Sequence, residues 1–101
     1  RNIYLLFLNG EGCIMFVILV YDVGQKRVAK ALKTCRKYLY WVQNSVFEGD
    51  ITEANLMKLK IELLNVIDTD KDSVVIYKFR STKYSAIETF GIKKGGEENI
   101  L

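Results

Sequence analysis

The sequence predicts an α+β fold in which two helices pack on one face of a β-sheet as a two-layer sandwich. Strand-like and helix-like segments alternate along the chain in the order strand, helix, strands, helix, strand, with additions at the end. The two helical segments have similar lengths, which is typical of a repeated strand-helix-strand unit. The chain of 101 residues contains no proline and no low-complexity tract that would act as a linker, so we expect one domain.

The first predicted strand lies in the stretch MFVILVYDV, residues 15–23. Phe16 to Tyr21 are six consecutive apolar or aromatic residues, which predicts a strand buried on both faces and central in its sheet. The strand ends at Asp22, whose carboxylate is either a cap for the following turn or helix or a functional group. One carboxylate does not hold Mg²⁺ against water, so a metal role requires a second acid.

The first predicted helix follows Gly24 and extends to about Leu39. At about 100° per residue, its apolar positions fall in one arc: Val28, Ala31, Leu32, Cys35 and Leu39. Four lysines cluster on the opposite side, with two arginines on the flanks and no acidic residue between them: Lys26, Lys30, Lys33 and Lys37, with Arg27 and Arg36. This basic face predicts contacts with nucleic-acid phosphates, although a solvated helix face is the alternative.

The middle of the chain supplies further strands and the second helix. YWVQNSVFEG, residues 40–49, forms either a tight hairpin at Asn44-Ser45 or one bent strand. Thr52 is the expected N-cap of a helix whose apolar residues recur at helical spacing: Leu56, Leu59, Leu63, Val66 and Ile67. Residues 68–72 form a polar turn, and residues 73–79 and 85–91 are two more strands.

This order of elements indicates a two-layer α+β sandwich of ferredoxin-like kind with additions at the C-terminal end. Right-handed crossovers place both helices on one face of the sheet. The other face would leave an apolar patch that monomers rarely expose, so we expect a homodimer that associates through the sheet. If the two-fold axis passes near Asp22, each copy meets its twin, and Mg²⁺ bridging the two carboxylates becomes favourable.

The composition excludes several kinds of site. The sequence has no histidine, which rules out His-based catalysis and mixed Cys/His zinc sites. Cys13 and Cys35 form no metal-binding or CxxC spacing, so a reduced, cytoplasmic setting is expected.

The apolar run within residues 1–14 is too short to span a bilayer, and we expect no membrane partner. We interpret residues 1–14 as an upstream-encoded or vector-derived leader before a single domain over residues 15–101; an extra edge strand there is the alternative.

Four segments carry a family resemblance: YDV at the end of the first strand, the basic helix beginning KRV, WVQNSVFEGDIT and DSVVIYKF. Together they resemble the CRISPR-associated protein 2 family, and the resemblance covers essentially all of residues 15–90 at the family's spacing. The resemblance implies a ferredoxin-like homodimer with a βαββαβ core and an extra C-terminal strand, which favours the hairpin at Asn44. It implies that this homodimer acts in CRISPR adaptation. It also implies that the homodimer bridges two dimers of the CRISPR-associated integrase, protein 1, and lies along duplex DNA.

The same resemblance implies a metal-dependent endonuclease that acts on RNA or double-stranded DNA. Asp22 matches the family's proposed metal ligand, one from each subunit, with Mg²⁺ as the expected ion. Four further residues fall at positions with supporting catalytic roles: Tyr21, Arg27, Ser45 and Phe47. The chain departs from the pattern at Trp41, where some members carry an arginine ahead of the VQ pair, and this departure concerns the catalytic set rather than the scaffold.

Two functions of different class follow. In the first, the chain is a scaffold whose basic face, doubled by symmetry, neutralises DNA phosphates without reading bases. In the second, it is primarily a metal-dependent endoribonuclease, or a toxin-like RNase of the same fold, acting on single-stranded RNA. No second acid lies near Asp22 in the sequence to act as a general base, so water on the metal would be the nucleophile.

Overall fold

The computed structural model describes residues 14–81 and 84–92, and its elements follow the predicted order. The strands and helices are β1 (Ile14–Asp22), α1 (Val28–Arg36), β2 (Tyr40–Gln43), β3 (Val46–Thr52), α2 (Glu53–Val66), β4 (Ser73–Ser81) and β5 (Tyr84–Gly91). The strands form one antiparallel sheet in the order β2-β3-β1-β4-β5. Both helices cover the same face, which confirms the ferredoxin-like sandwich with an extra C-terminal strand.

The central position predicted for β1 is confirmed, because the strand pairs with β3 on one side and β4 on the other. The prediction that it is buried on both faces is wrong for the single chain. Alternate residues project to opposite faces, and only one set lies in the core beneath the helices: Met15, Val17, Leu19 and Tyr21. The other set, which begins with the exposed Ile14 and Phe16, lines the face that the helices leave uncovered, here called the open face.

The core lies between the covered face of the sheet and the two helices. Both predicted apolar arcs point into it, since Ala31 and Cys35 of α1 are fully buried, as are the three leucines of α2 at positions 56, 59 and 63. Burial raises the pKa of the Cys35 thiol to about 12, so this thiol is protonated at neutral pH. Cys35 therefore serves as a small apolar core residue rather than as a reactive group.

Helix α1 is shorter than predicted at both ends. Gly24 and Arg27 close a turn before it, with Arg27 N donating to Gly24 O at 2.9 Å, so Lys26 precedes the helix. After Arg36 the chain continues in turn conformation, and Leu39 N donates to Cys35 O at 2.9 Å. Leu39 is buried as expected although it lies outside the helix. The basic residues of this region therefore come from a turn, a helix and a second turn.

Of the two alternatives at Asn44-Ser45, the structure has the hairpin, since β2 and β3 pair directly across it. Asn44 has a φ of 45°, a left-handed conformation that asparagine tolerates better than most residues. Its carbonyl oxygen accepts a hydrogen bond from Trp41 Nε1 at 2.9 Å, which fixes the turn. Thr52 is the N-cap of α2 as predicted, because its Oγ1 accepts from Asn55 N at 3.1 Å.

Several predictions fall outside the described residues. The leader predicted for residues 1–14 lies there except for Ile14, which is the first residue of β1 and pairs with Thr52. Cys13 and the residues after Ile92 lie there as well. Within ranges 14–81 and 84–92, neither helix has the length and apolar character that crossing a bilayer requires.

Candidate functional site

Asp22 is exposed at the end of β1, and it lies on the open face with Ser73 of β4 directly opposite. Residues opposite each other in an antiparallel pair project to the same face. The carboxylate therefore continues the row formed by Phe16, Ile18 and Val20. Structure and register thus place an acid at one end of an apolar surface.

Tyr21 and Phe47 lie on the opposite side of the sheet from Asp22. Both are buried in the core, with ring centroids 5.8 Å apart. Burial raises the pKa of the Tyr21 hydroxyl, so Tyr21 is uncharged at neutral pH. These two predicted site residues support β1 from the core and share no surface with the Asp22 carboxylate.

Ser45 approaches the end of β1 through its backbone. Its carbonyl oxygen accepts a hydrogen bond from Tyr21 N at 3.1 Å, which holds the β2–β3 turn against the last residues of β1. The structure therefore brings Ser45 and Asp22 into the same end of the sheet.

Arg27 is engaged with a carboxylate that lies 45 positions later in the chain. Its Nε donates to Asp72 Oδ2 at 2.6 Å, and its Nη2 donates to Asp72 Oδ1 at 2.9 Å. The Asp72 side chain is 1% exposed and that of Arg27 is 25% exposed. The guanidinium and two backbone N–H groups hold the pKa of the Asp72 carboxyl well below its usual range, against the opposing effect of burial.

The sequence places Asp72 at the end of a polar turn, a position at which burial is not expected. The pair with Arg27 joins two loops that no helical or hairpin spacing relates, so periodicity cannot reveal it. The available signal was an aspartate immediately ahead of a strongly apolar strand, where a polar side chain must find hydrogen-bond donors.

The basic residues around α1 are largely exposed, in agreement with the predicted basic face. Lys30, Lys33 and Lys37 line a shallow groove of about 180 Å³ between the two helices, together with Thr34 and Val66.

Although no acidic residue lies between these lysines in the sequence, Lys37 has an acidic partner in the structure. Its ammonium forms a salt bridge with Glu62, which also accepts from the Tyr38 hydroxyl at 2.6 Å. The hydrogen bonds from Lys37 and Tyr38 lower the pKa of Glu62. The acid comes from α2, which packs beside α1, so a search along α1 alone does not find it. Arg36 packs its guanidinium over the Trp41 ring, 5.8 Å from the centroid.

Comparison with known proteins decides the family. A family model described as CRISPR associated protein Cas2 matches residues 15–87. A CRISPR-associated endoribonuclease Cas2 from Dictyoglomus turgidum is 53% identical over 87 residues, covering 86% of this chain and 100% of the relative. The chain belongs to the Cas2 family. A protein of the same name from Thermotoga maritima has the same identity and coverage.

A solved structure supports the family at the level of the fold. The crystal structure of a Cas2 protein has a TM-score of 0.65 and 35% sequence identity, covering 87% of this chain and 94% of that one. The sandwich and its five-stranded sheet are therefore the Cas2 fold.

The described residues of this chain supply only part of a Mg²⁺ site. Within residues 14–81 and 84–92, no three acidic or thiol side chains are grouped closely enough to hold a metal ion. The Asp22 carboxylate is of the right chemistry, because Mg²⁺ binds oxygen through one or two carboxylates and completes its octahedron with water or phosphate. A site for the ion therefore depends on a second copy of the chain, which would contribute the second carboxylate.

The Asp72 carboxylate is expected to make the free energy of unfolding of this chain fall at acid pH. The pKa of Asp72 is lower in the folded protein than in the unfolded chain, where it is about 3.9. Its stabilisation is therefore complete above that value and is lost progressively as the pH falls below it. Urea unfolding should show that the free energy of unfolding falls less between about pH 7 and about pH 3 for Asp72→Asn than for the wild type.

Asp70→Asn is the matched control, because Asp70 lies in the same turn and is exposed. This variant should follow the wild-type pH dependence. An equal fall in the free energy of unfolding for the wild type and Asp72→Asn would contradict this role of the Asp72 carboxylate.

Proposed function

We propose that this chain is a homodimeric subunit of CRISPR adaptation that binds the backbone of duplex DNA and bridges dimers of the CRISPR-associated integrase. The observation that carries the proposal is the exposed basic surface of α1 and its flanking turns, on a chain of the Cas2 family. Mg²⁺-dependent endonuclease activity is proposed as a second function of the same dimer. A subunit with these substrates would work in the cytoplasm.

The open face supports the homodimer. Apolar side chains of three adjacent strands lie on it in register: Phe16, Ile18 and Val20 of β1, Val75, Tyr77 and Phe79 of β4, and Ile87 of β5. Phe16 and Phe79 pack together with ring centroids 6.2 Å apart, yet each remains more than one-third exposed. Because monomers rarely expose a continuous apolar patch of this kind, a second copy is the proposed cover.

The position of Asp22 supports a shared metal site. It is at the end of the apolar row, so a two-fold axis near this end would bring the two carboxylates together. Two carboxylates a few ångströms apart repel unless a proton or a cation lies between them. When bound, Mg²⁺ would stabilise the charge that develops on the phosphate during cleavage.

The surface around α1 supports contacts with nucleic-acid phosphates. Lys26, Lys30 and Lys33 are exposed, and two of them, Lys30 and Lys33, line the groove of about 180 Å³ beside α1. In the dimer each position occurs twice, so a few lysines yield a longer basic surface. Such contacts fix the protein on the duplex but carry no sequence information.

Removal of two of these lysines is expected to reduce the salt dependence of DNA binding. In a Lys30→Gln/Lys33→Gln variant, the dimer loses four positive charges that each neutralise one phosphate. Because each contact contributes about −0.9 to the slope of log K against log salt, the slope should become shallower by about 3 to 4. Fluorescence anisotropy with duplex DNA across a series of salt concentrations measures it.

Lys58→Gln is the control for general electrostatics, since Lys58 is exposed on α2 rather than on α1. It should change the slope much less than the double variant does. Equal slopes for the wild type and the Lys30→Gln/Lys33→Gln variant would reject the basic surface as the DNA-binding site.

Endoribonuclease activity is the second candidate function, and the names of the relatives favour it. The proteins from Dictyoglomus turgidum and Thermotoga maritima are both named endoribonucleases. We propose that this chain cleaves single-stranded RNA or duplex DNA at the paired Asp22 carboxylates, which would hold Mg²⁺; the ion would supply activation of a water molecule for attack on the phosphate.

A further inference from the structure

We infer that Asp72 and Arg27 form a positioning pair that fixes the loop after Asp22 and thereby sets the location of the Asp22 carboxylate. On this inference Arg27 acts through Asp72 rather than on the substrate. The inference rests on the proposed metal role of Asp22 and adds to it two residues that would determine the metal affinity.

Asp72 accepts hydrogen bonds from three residues in two parts of the chain: Gly24 and Arg27 in the turn before α1, and Asp68 in its own turn. Oδ1 accepts from Gly24 N and Arg27 Nη2, both at 2.9 Å. Oδ2 accepts from Arg27 Nε at 2.6 Å and from Asp68 N at 2.9 Å. A carboxylate has about four acceptor sites, so these bonds occupy its whole capacity. A buried carboxylate bound in this way has one orientation, and it imposes that orientation on the loops that bind it.

Asp22 is connected to this carboxylate from two directions. Along the chain, Gly24 is two residues after Asp22, and its N–H is bonded to Asp72 Oδ1. Across the sheet, the residue opposite Asp22 is Ser73, which follows Asp72 directly. A displacement of the Asp72 side chain would therefore move the loop that leaves Asp22, while the strand pairing at Ser73 would hold the other side.

The backbone of Asp72 has its own anchor, which separates its side-chain role from the sheet. Its carbonyl oxygen accepts from Ile92 N at 2.8 Å, just after the end of β5. Gly91 packs against the Asp72 backbone with a φ of +94°, where a Cβ would collide with the Asp72 carbonyl. Substitution of the Asp72 side chain leaves these contacts in place, so it should loosen the loop after Asp22 more than the sheet.

The geometry of Arg27 fits a positioning role. Its Nε and Nη2 both point to a carboxylate that is 1% exposed, so the pair orients the guanidinium toward the protein. A bidentate pair requires the planar fork of arginine, which lysine does not reproduce. Arg27→Lys and Arg27→Gln should therefore weaken metal binding to a similar extent. If Arg27 acted only through its positive charge, Arg27→Lys would bind the metal ion like the wild type.

Metal affinity measured without substrate tests this inference. We would titrate the wild-type dimer with Mn²⁺ and detect bound ion by electron paramagnetic resonance, expecting one ion for two chains. Asp72→Asn should weaken Mn²⁺ binding by about 10-fold to 100-fold, as is usual when a group that orients a metal ligand is removed.

A second variant covers the case in which Asp72→Asn does not fold. Gly24→Ala retains both charged residues, but its Cβ would lie 2.5 Å from Arg27 Nη2 and must displace the guanidinium. Gly24→Ala should weaken Mn²⁺ binding, as Asp72→Asn does. Lys60→Gln is the control, because it breaks a different pair, in which Lys60 Nζ donates to Glu88 Oε2 at 2.9 Å, and it should bind Mn²⁺ like the wild type.

The outcomes separate this inference from the function on which it rests. Wild-type affinity in folded Asp72→Asn and Gly24→Ala would overturn the positioning pair and leave the metal site intact. A wild-type protein that binds no Mn²⁺, or that binds it as well after Asp22→Asn, would overturn the metal site and this inference with it. Restoration of full affinity by Arg27→Lys would also overturn the positioning role.

Discussion

Replacement of Ile18 by glutamate is expected to convert the proposed dimer into single chains. Ile18 lies on β1, in the middle of the apolar row of the open face, and Tyr77 is directly opposite it. In the proposed dimer the substitution would bury two like charges with no compensating partner. Such a charge costs about 3 kcal/mol or more, so the dissociation constant should rise by over 100-fold.

Sedimentation velocity at micromolar concentration measures this change against the chain mass of 11.6 kDa. Ile61→Glu is the matched control: Ile61 is 53% exposed on the outer side of α2, so this variant should remain a dimer. A wild-type protein that sediments as a single chain, or an Ile18→Glu variant that remains a dimer, would contradict the proposed interface. The paired metal site would then have no basis.

Replacement of Asp22 by asparagine is expected to abolish most metal-dependent cleavage. The substitution keeps the size of the side chain but removes the charge that would hold Mg²⁺. Since a bound ion contributes several kcal/mol of transition-state stabilisation, cleavage of RNA or duplex DNA should fall by about 100-fold or more. The measurement is the single-turnover rate with saturating Mg²⁺, with EDTA as the metal-free reference.

Asp50→Asn is the control for the loss of a carboxylate on the same face, because Asp50 is exposed on β3 opposite Phe16. It should cleave at a rate close to that of the wild type. If the wild type and Asp22→Asn cleave equally fast, the activity arises elsewhere or from a contaminant.

The same variant also separates the two proposed functions. Asp22→Asn should bind duplex DNA with the wild-type salt slope, since the basic surface of α1 is unchanged. It should also co-purify with the integrase. If spacer acquisition continues while cleavage is lost, the scaffold is the primary function; if both are lost together, the endonuclease is.

The order of the elements follows directly from local patterns in the sequence. The apolar arcs of the two helices and the cap at Thr52 each depend on residues within a few positions of one another, and each is confirmed. At Asn44 the local pattern allowed a hairpin or a bent strand, and the structure has the hairpin. The burial of β1 was the exception. A continuous apolar run is equally typical of a strand covered by helices on both faces and of a strand whose second face is covered by another molecule.

The candidate site was less predictable because its main contacts are not local. Arg27 and Asp72 are 45 positions apart, and Glu62 reaches Lys37 from a different helix. Helical or strand periodicity carries no information about such pairs. Asp22 was identified as a candidate because it ends the first strand, and its proposed chemistry depends on a second chain, which no pattern within one chain describes.

The alternation of side chains along β1 has a consequence for insertions and deletions. Tyr21 and Asp22 are neighbours in the chain, but one is in the core and the other is on the open face. A single residue added to or removed from the middle of this strand would invert both. The acid would then enter the apolar interior and the aromatic ring would enter solvent, so the length of the strand is as tightly constrained as its composition.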